Sequence, residues 1–304
     1  MTTTIATRSG DLELGPMGLG TNVWGGRDEK PEASARVLEA ALAAGITLVD
    51  TAEIYQGGSS ELSIARALAS WKAAGAGGAR PVILSKFFPW PWRVSRSSLI
   101  AALHASLGRL GLEAVDVYLL HFPLPPLSLE TWVDALADAV DAGLASAVGI
   151  SNCDEKQLRL AHRVLADRGL PLACDEVEFS LLNRAPERNG TLAACAELGV
   201  PLVAYRPLGS GILPAAAPTT KGLRKLMAPR TDPRRLEELR SLLASIGAAH
   251  GGKSPSQIAL NWVIAKGAVP IPGARSLAHL RENAGALGWS LSEEEVALLD
   301  AAGS

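Results

Sequence analysis

Several things are scarce in this chain, and each scarcity closes a route. Among 304 residues there are only three cysteines, Cys153, Cys174 and Cys195, with no CxxC pair and no Cys/His spacing. That argues against a zinc module, and it fits a reduced, cytoplasmic setting. No stretch holds the ~20 uninterrupted apolar residues of a membrane helix. The opening MTTTIATRSG lacks the apolar run of a signal peptide. Neither sign of charge dominates: 29 Lys and Arg against 31 Asp and Glu give a formal net charge of −2. Nucleic acid and membrane are therefore not expected as partners, and short basic clusters such as PRTDPRR read as solvated surface. No linker or low-complexity segment divides the chain, so residues 1–304 are expected to form a single domain.

What is present is a repeat of short apolar runs and longer amphipathic stretches. ITLV (46–49), PVILS (81–85), VDVYLL (115–120), SAVGI (146–150), ACDEV (173–177), PLVAY (201–205) and AVPIP (268–272) read as strands. They are too continuously apolar for a sheet wetted on one face, and buried parallel strands have this character. GPMGLG (15–20) supplies a first strand, giving eight strand–helix units. PEASARVLEAALAAG stops at Gly45, SSELSIARALASW opens on serines and Glu61, and SRSSLIAALHASLGRLG stops at glycine. SLETWVDALADAVDAG and SEEEVALLD open on a serine followed by acids. Strand–helix alternation implies a parallel α/β architecture.

An open dinucleotide-binding sheet should carry GxGxxG after its first strand. GPMGLGTNVWGG does not fit, and no acidic residue follows at the right distance, so a closed (β/α)8 TIM barrel is expected. The longest unpatterned stretch, residues 206–235, has the length of a loop that covers a ligand.

In such a barrel, functional groups stand at the C-terminal ends of the strands. There the sequence places Asp50 with Tyr55 in the following loop, Lys86, His121, Ser151 and Asn152, Glu176, Tyr205 and Arg206, and Arg275. The first four make a coherent set. A phenol of pKa near ~10 is a poor donor alone, and a neighbouring ammonium lowers that value. A carboxylate keeps the ammonium charged and oriented, and a histidine can orient a carbonyl or relay a proton. That is equipment for general-acid catalysis on a carbonyl while a hydride arrives from elsewhere. A metal-dependent hydrolase would need clustered His/Asp ligands, and only His121 stands at a strand end; no metal is expected.

GLGTNVWGG, LVDTAEIYQGGSSE, LSKF, LGRLGLEAVDVYLLHFP, GLASAVGISNC, EVEFSLLNR, LVAYRPLGSGIL, SPSQIALNWVI and IPGARSLAHLRENAGAL together resemble the aldo-keto reductases over nearly the whole chain. FFPWPWR and LLNRAPERNGTLAACAELGV look most like the plant and cyanobacterial, pyridoxal-reductase-like branch. The resemblance implies a (β/α)8 barrel, NADPH as cofactor (NADP as its oxidised form) and a small carbonyl substrate. It implies Tyr55 as general acid, Asp50 and Lys86 as its tuning pair, and His121 as the carbonyl orienter. It counts Gly20, Thr21 and Asp50 among the cofactor contacts, and puts Ser151, Asn152, Glu176 and Tyr205 on the nicotinamide. Arg206, Leu208 and Ser210 fall on the pyrophosphate. Gly273, Ala274, Arg275, His279, Glu282 and Asn283 fall on the adenosine end. Trp24, Phe87, Trp90 and Phe122, with Tyr55 and His121, are expected to line an aromatic substrate pocket.

There are departures as well. Glu176 stands where the family usually has glutamine. His279 stands where many relatives carry arginine, and the chain stops soon after SEEEVALLDAAGS, so a more open pocket is expected. A monomer or weak oligomer is expected. The rival reading is an NADPH-binding redox-sensing or regulatory subunit with little turnover.

Overall fold

The computed structural model describes residues 3–8, 10–27, 30–75, 80–213 and 232–303. An antiparallel hairpin of β1 (Thr3–Ile5) and β2 (Leu12–Leu14) comes first. Eight strands follow: β3 (Gly18–Gly20), β4 (Leu48–Asp50), β5 (Val82–Phe87), β6 (Val115–Leu120), β7 (Ala145–Ser151), β8 (Leu172–Glu178), β9 (Leu202–Tyr205) and β10 (Val269–Pro270). Each pairs in parallel with the next.

The ends of this sheet meet. Gly20 bridges in parallel to Gly273, and its N–H donates to the Pro272 carbonyl at 3.1 Å. A Cβ on Gly20 would come within 2.8 Å of the Ile271 carbonyl oxygen, so only glycine lets the seam close. The structure is thus the barrel that the alternating pattern implies.

Helices Pro31–Ala43, Ser59–Ala73, Arg96–Leu110, Leu129–Asp141 and Glu155–Asp167 fill successive crossovers. Ser128 caps the fourth through the Thr131 N–H, and Ser292 forms a capping box at Glu293–Ala302. The second departs from its serine-capped expectation. Its cap is Gly58, with φ of 90°, because Ser60 and Glu61 serve the interior instead. Ser60 Oγ donates to the Thr21 carbonyl, and Glu61 accepts from Ser85 Oγ and Arg109 Nε at 2.6 Å each. The stretch 206–235 also divides. Helix Pro233–Ala249 begins within it, and residues 214–231 lie outside the described residues.

Two apolar layers make the core. The inner one, along the barrel axis, contains Leu48, Leu84, Val117, Leu119, Val203 and Val269. Ile5 and Leu14 of the hairpin belong to it, so the hairpin plugs the end where the strands begin. The outer layer packs strands against helices, with Val49, Ile83, Tyr118 and Trp132. Cys153, Cys174 and Cys195 are free and buried. Among the described residues, no helix is long and apolar enough to cross a membrane, and no cluster of His, Cys, Asp and Glu could hold a metal.

Candidate active site

Side chains alternate along a strand, so the inner layer identifies what faces the axis above it. Asp50 stands two residues past Leu48, Lys86 past Leu84, His121 past Leu119, Glu176 past Cys174, and Tyr205 past Val203; each named apolar residue belongs to the inner layer. Ser151 shares that parity with Ala147. One inward ring at the C-terminal ends therefore carries Asp50, Lys86, His121, Ser151, Glu176 and Tyr205. Tyr55 comes from the turn Tyr55–Gly58 after β4, in which Gln56 and Gly57 hold left-handed φ of 51° and 63°.

Lys86 is the hub. It is wholly buried, and its ammonium donates to Asp50 Oδ1 and, at 2.9 Å, to the Thr51 carbonyl. Glu176 Oε2 lies 3.2 Å from Nζ, and the Tyr55 ring centroid lies 5.2 Å away. Thr21 Oγ1 donates to the Asp50 carbonyl at 2.7 Å and contacts Ser60, which also contacts Thr51, so the carboxylate's strand end is braced from behind.

Burial pulls the Lys86 ammonium down, but the charges of Asp50 and Glu176 more than offset it, so the amine stays charged and above its ordinary range. For Tyr55 the balance differs from the expected lowering. Burial pushes the phenol up, Lys86 pulls it down, and Asp50 and Glu176 push it up again. The net position is above the ordinary value, which keeps the hydroxyl protonated. Burial, reinforced by the Lys86 charge, lowers His121 to about 3. The imidazole is therefore neutral and can offer one N–H but no acidic proton. Its Nδ1 is buried without a partner, and its ring meets Tyr55 edge-on at 5.7 Å and stacks on Phe122 at 5.2 Å.

The strand ends around this hub are tied together. Ser151 Oγ donates to the Glu176 carbonyl at 2.7 Å. Asn152 Nδ2 donates to the His121 carbonyl at 2.9 Å, and its Oδ1 accepts from the Tyr205 hydroxyl at 2.8 Å. Among the described residues, the non-glycine positions with positive φ are Gln56, Asn152, Arg206 and Ser210. The first follows Tyr55 and the other three are expected cofactor contacts, so backbone strain gathers at this site. Arg206 pairs with Glu178 at 3.2 Å, and Leu208 is half-buried beside it.

After β10, Gly273, Arg275, His279 and Glu282 are exposed around the start of helix Leu277–Ala284, which Ser276 caps. Buried Asn283 donates to the Gly273 carbonyl at 3.4 Å. The Glu282 carboxylate accepts from Ser254 Oγ, which turns it toward the neighbouring helix cap.

Two placements correct the expectations from sequence. Phe87 does not line a substrate pocket. It has the outward parity of β5, is wholly buried and packs on Trp132 with ring centroids 5.0 Å apart. Trp24 is 2 % exposed, and its indole N–H, needing an acceptor once buried, donates to the Ala274 carbonyl at 2.8 Å. It fastens the turn after β10 instead of facing a substrate. Thr21 is wholly buried, and its hydroxyl braces the Asp50 strand end through Asp50 and Ser60.

Trp90, by contrast, is 36 % exposed and stacks on Trp92 at 5.1 Å with an interplanar angle of 4°. Phe88 bridges Trp90, His121 and Phe122 with centroids 4.4, 5.8 and 5.9 Å away. These rings form an aromatic wall beside Tyr55 and His121.

The wall has an anchor that sequence reasoning missed. Glu53, two residues before Tyr55, accepts from the Phe88 N–H at 2.7 Å and pairs with Arg93, whose Nη2 donates at 2.8 Å. Arg93 Nη1 returns to the Phe88 carbonyl at 2.8 Å. No local signal links residues forty positions apart. A second missed feature is Asp175, wholly buried on the outward face of β8, its carboxyl pushed well up by burial against the pull of the Cys153 backbone.

Residues 16–304 match the Aldo/keto reductase family. Chloroplastic pyridoxal reductase of Arabidopsis thaliana is 35 % identical over 305 residues, covering 95 % of this chain and 83 % of that protein. Methylglyoxal reductase YeaE of Escherichia coli K12 is 30 % identical over 295 residues, covering 97 % and 93 %. Among solved structures, a thermostable aldo-keto reductase, Tm1743, in complex with the inhibitor epalrestat superposes with a TM-score of 0.79 at 33 % identity over all of both chains. An aldo-keto reductase from Klebsiella pneumoniae in complex with NADPH gives 0.78 at 28 % identity, covering 99 % and 95 %. With a family match over almost its whole length, and relatives at least 30 % identical over most of theirs, the chain belongs to the aldo/keto reductase family.

Proposed function

We propose that this chain is an NADPH-dependent oxidoreductase that reduces an aldehyde or ketone to its alcohol, with Tyr55 as the general acid. The observation that carries the reading is the convergence of Asp50, Lys86, Tyr55 and His121 at one barrel mouth, with Lys86 charged and Tyr55 protonated.

The residues present fit the cofactor. The ring of strand ends is polar and fixed, and the Arg206–Gly211 segment turns repeatedly through positive φ, a backbone form that presents N–H groups to anions. Exposed Arg275 stands beside a capped helix start, suited to a 2′-phosphate. Ser151, Asn152, Glu176 and Tyr205 would hold the nicotinamide side, and Arg206, Leu208 and Ser210 the pyrophosphate. NADPH, when bound, supplies the hydride.

The chain's own residues do the rest. Neutral His121 offers an N–H to the carbonyl oxygen and fixes its direction. Tyr55 passes its proton to that oxygen as the carbonyl carbon is reduced. The Lys86 ammonium stabilises the phenolate left behind, and Asp50 keeps Lys86 charged. Phe88, Trp90 and Phe122 wall the site, which favours a planar or hydrophobic aldehyde. The pyridoxal reductase relative points the same way, because its named substrate is a planar aromatic aldehyde.

The test is NADPH consumption over a panel containing pyridoxal, benzaldehydes, methylglyoxal and short aliphatic aldehydes. Turnover with preference for the aryl members is expected. Tight NADPH binding without consumption of any aldehyde would overturn the reading in favour of a redox-sensing subunit.

A further inference from the structure

Two carboxyl groups face one ammonium in a dry site. Lys86 is wholly buried, Asp50 is 3 % exposed and Glu176 is 1 % exposed. Glu176 Oε2 stands 3.2 Å from Lys86 Nζ, yet makes no aligned hydrogen bond with it, while the ammonium donates to Asp50 and to the Thr51 carbonyl. The carboxyls of Asp50 and Glu176 therefore converge on the same Nζ. With both ionised, the cluster carries a net charge of minus one in a buried setting, and such a charge is expensive. A single proton removes it and gives the two carboxyls a bond to share.

We propose that Glu176 is a positioning residue of the catalytic set, a carboxylic acid that keeps its proton and donates it to Asp50, so that Lys86 faces one carboxylate and keeps its hold on Tyr55. This rests on the reductase reading given above. The chemistry differs from that of a glutamine. Glutamine could also donate to Asp50, but it could never ionise. Glu176 therefore makes the strength of the Lys86–Tyr55 couple depend on pH.

The groups facing Glu176 pull in opposite directions, and burial with Asp50 outweighs Lys86. Asp50 from β4 and Lys86 from β5 act on it directly, while Tyr55, Cys174 and Tyr205 feel its charge. Burial, then the Asp50 charge, pushes its carboxyl well above the ordinary range, against the pull of Lys86. Because the value is raised, the neutral acid extends to higher pH than for an ordinary carboxyl, and on this proposal it ionises on the alkaline side of the activity range. Ionised Glu176 raises the proton affinity of Tyr55 and draws Lys86 away from it, so the donor weakens there.

Two measurements test this. The first needs neither cofactor nor turnover: infrared spectra of wild type and Glu176→Gln in the region of protonated carboxyls. A band present in wild type and missing from the variant is expected, while the band of buried Asp175 cancels in the difference. Asp50→Asn should also abolish it, since Glu176 then becomes the only counter-ion of Lys86 and ionises. That spectrum carries the test alone should Glu176→Gln fail to fold. The second is the pH profile of kcat/KM on a reactive aldehyde, whose alkaline limb should move to higher pH in Glu176→Gln. Absence of the band, its survival in Asp50→Asn, or superimposable pH profiles would each overturn the proposal. Failure of every aldehyde to react would instead overturn the reductase reading, and the infrared result would be unaffected.

Discussion

Tyr55 and His121 show what burial does to residues that would be unremarkable in water. Both are forced neutral, Tyr55 by being pushed up and His121 by being lowered to about 3. The pair thus presents an undissociated proton donor and a neutral hydrogen-bond donor throughout the neutral range. Tyr55→Phe keeps the ring beside His121 and removes only the proton. Carbonyl reduction should fall by about 100- to 10,000-fold, the usual worth of a general acid, while NADPH affinity from fluorescence titration stays near wild type. Retained turnover would remove Tyr55 from its role. His121 carries a stability cost as well. Its folded value of about 3 lies below the ordinary 6.5, so the unfolded chain takes up a proton first as pH falls. Stability should be intact above the ordinary value and decline toward the folded one, at most about 1.4 kcal/mol per pH unit from this group. Denaturant midpoints between pH 7 and 4 should fall less steeply for His121→Gln than for wild type. Parallel slopes would mean that the imidazole titrates normally. At this scale the sequence was most informative where residue type and strand end coincided, as for Asp50, Lys86 and His121. It misled where parity mattered: Phe87 is one step past Lys86, and one step on a strand turns a side chain through the sheet.

Elements are legible in proportion to their length. The strands from β4 onward announce themselves by continuous apolar runs, whereas TTI and LEL of the hairpin are too short for any period to show. Capping misled when a serine was claimed by tertiary contacts, as Ser60 was. The aromatic loop after β5 is the clearest case of an element whose sequence hides its support. FFPWPWR advertises rings, but the Glu53–Arg93 pair that fixes them joins two crossovers. Arg93 also lies over the Phe87 ring at 4.8 Å, so it ties the loop to the outer core. Arg93→Met keeps the stem and removes the charge, leaving Glu53 and the Phe88 carbonyl without their partner. The loop should loosen, and KM for aryl aldehydes should rise at least about tenfold, the low end for a lost charge-assisted bond. kcat on a small aliphatic aldehyde, which does not use the wall, should hardly change. A uniform loss across both substrate classes would show instead that the pair supports Tyr55 itself.

At the scale of the whole molecule the barrel separates its two ends. Chemistry-bearing residues share one inward ring where the strands finish, and the opposite end is sealed by an apolar hairpin. A division of this kind sets function on one face and stability on the other. It was only half visible in the sequence, since strand counting located the catalytic end but nothing in MTTTIATRSG marked a plug. Leu14 is wholly buried, pairs in register with Thr3 across the hairpin and packs in the same inner layer as Leu48 and Val82. Leu14→Ala leaves a cavity at the foot of the barrel and should cost about 2–5 kcal/mol of unfolding free energy. Leu14 sits in the hairpin at the end where the strands begin, whereas Asp50 and Lys86 stand near the ends where their strands finish. kcat and KM at a temperature well below the melting transition should therefore match wild type, while the denaturant midpoint drops. If instead kcat fell with stability, the inner layer would be transmitting strain to Asp50 and Lys86, and the two ends could not be treated as independent.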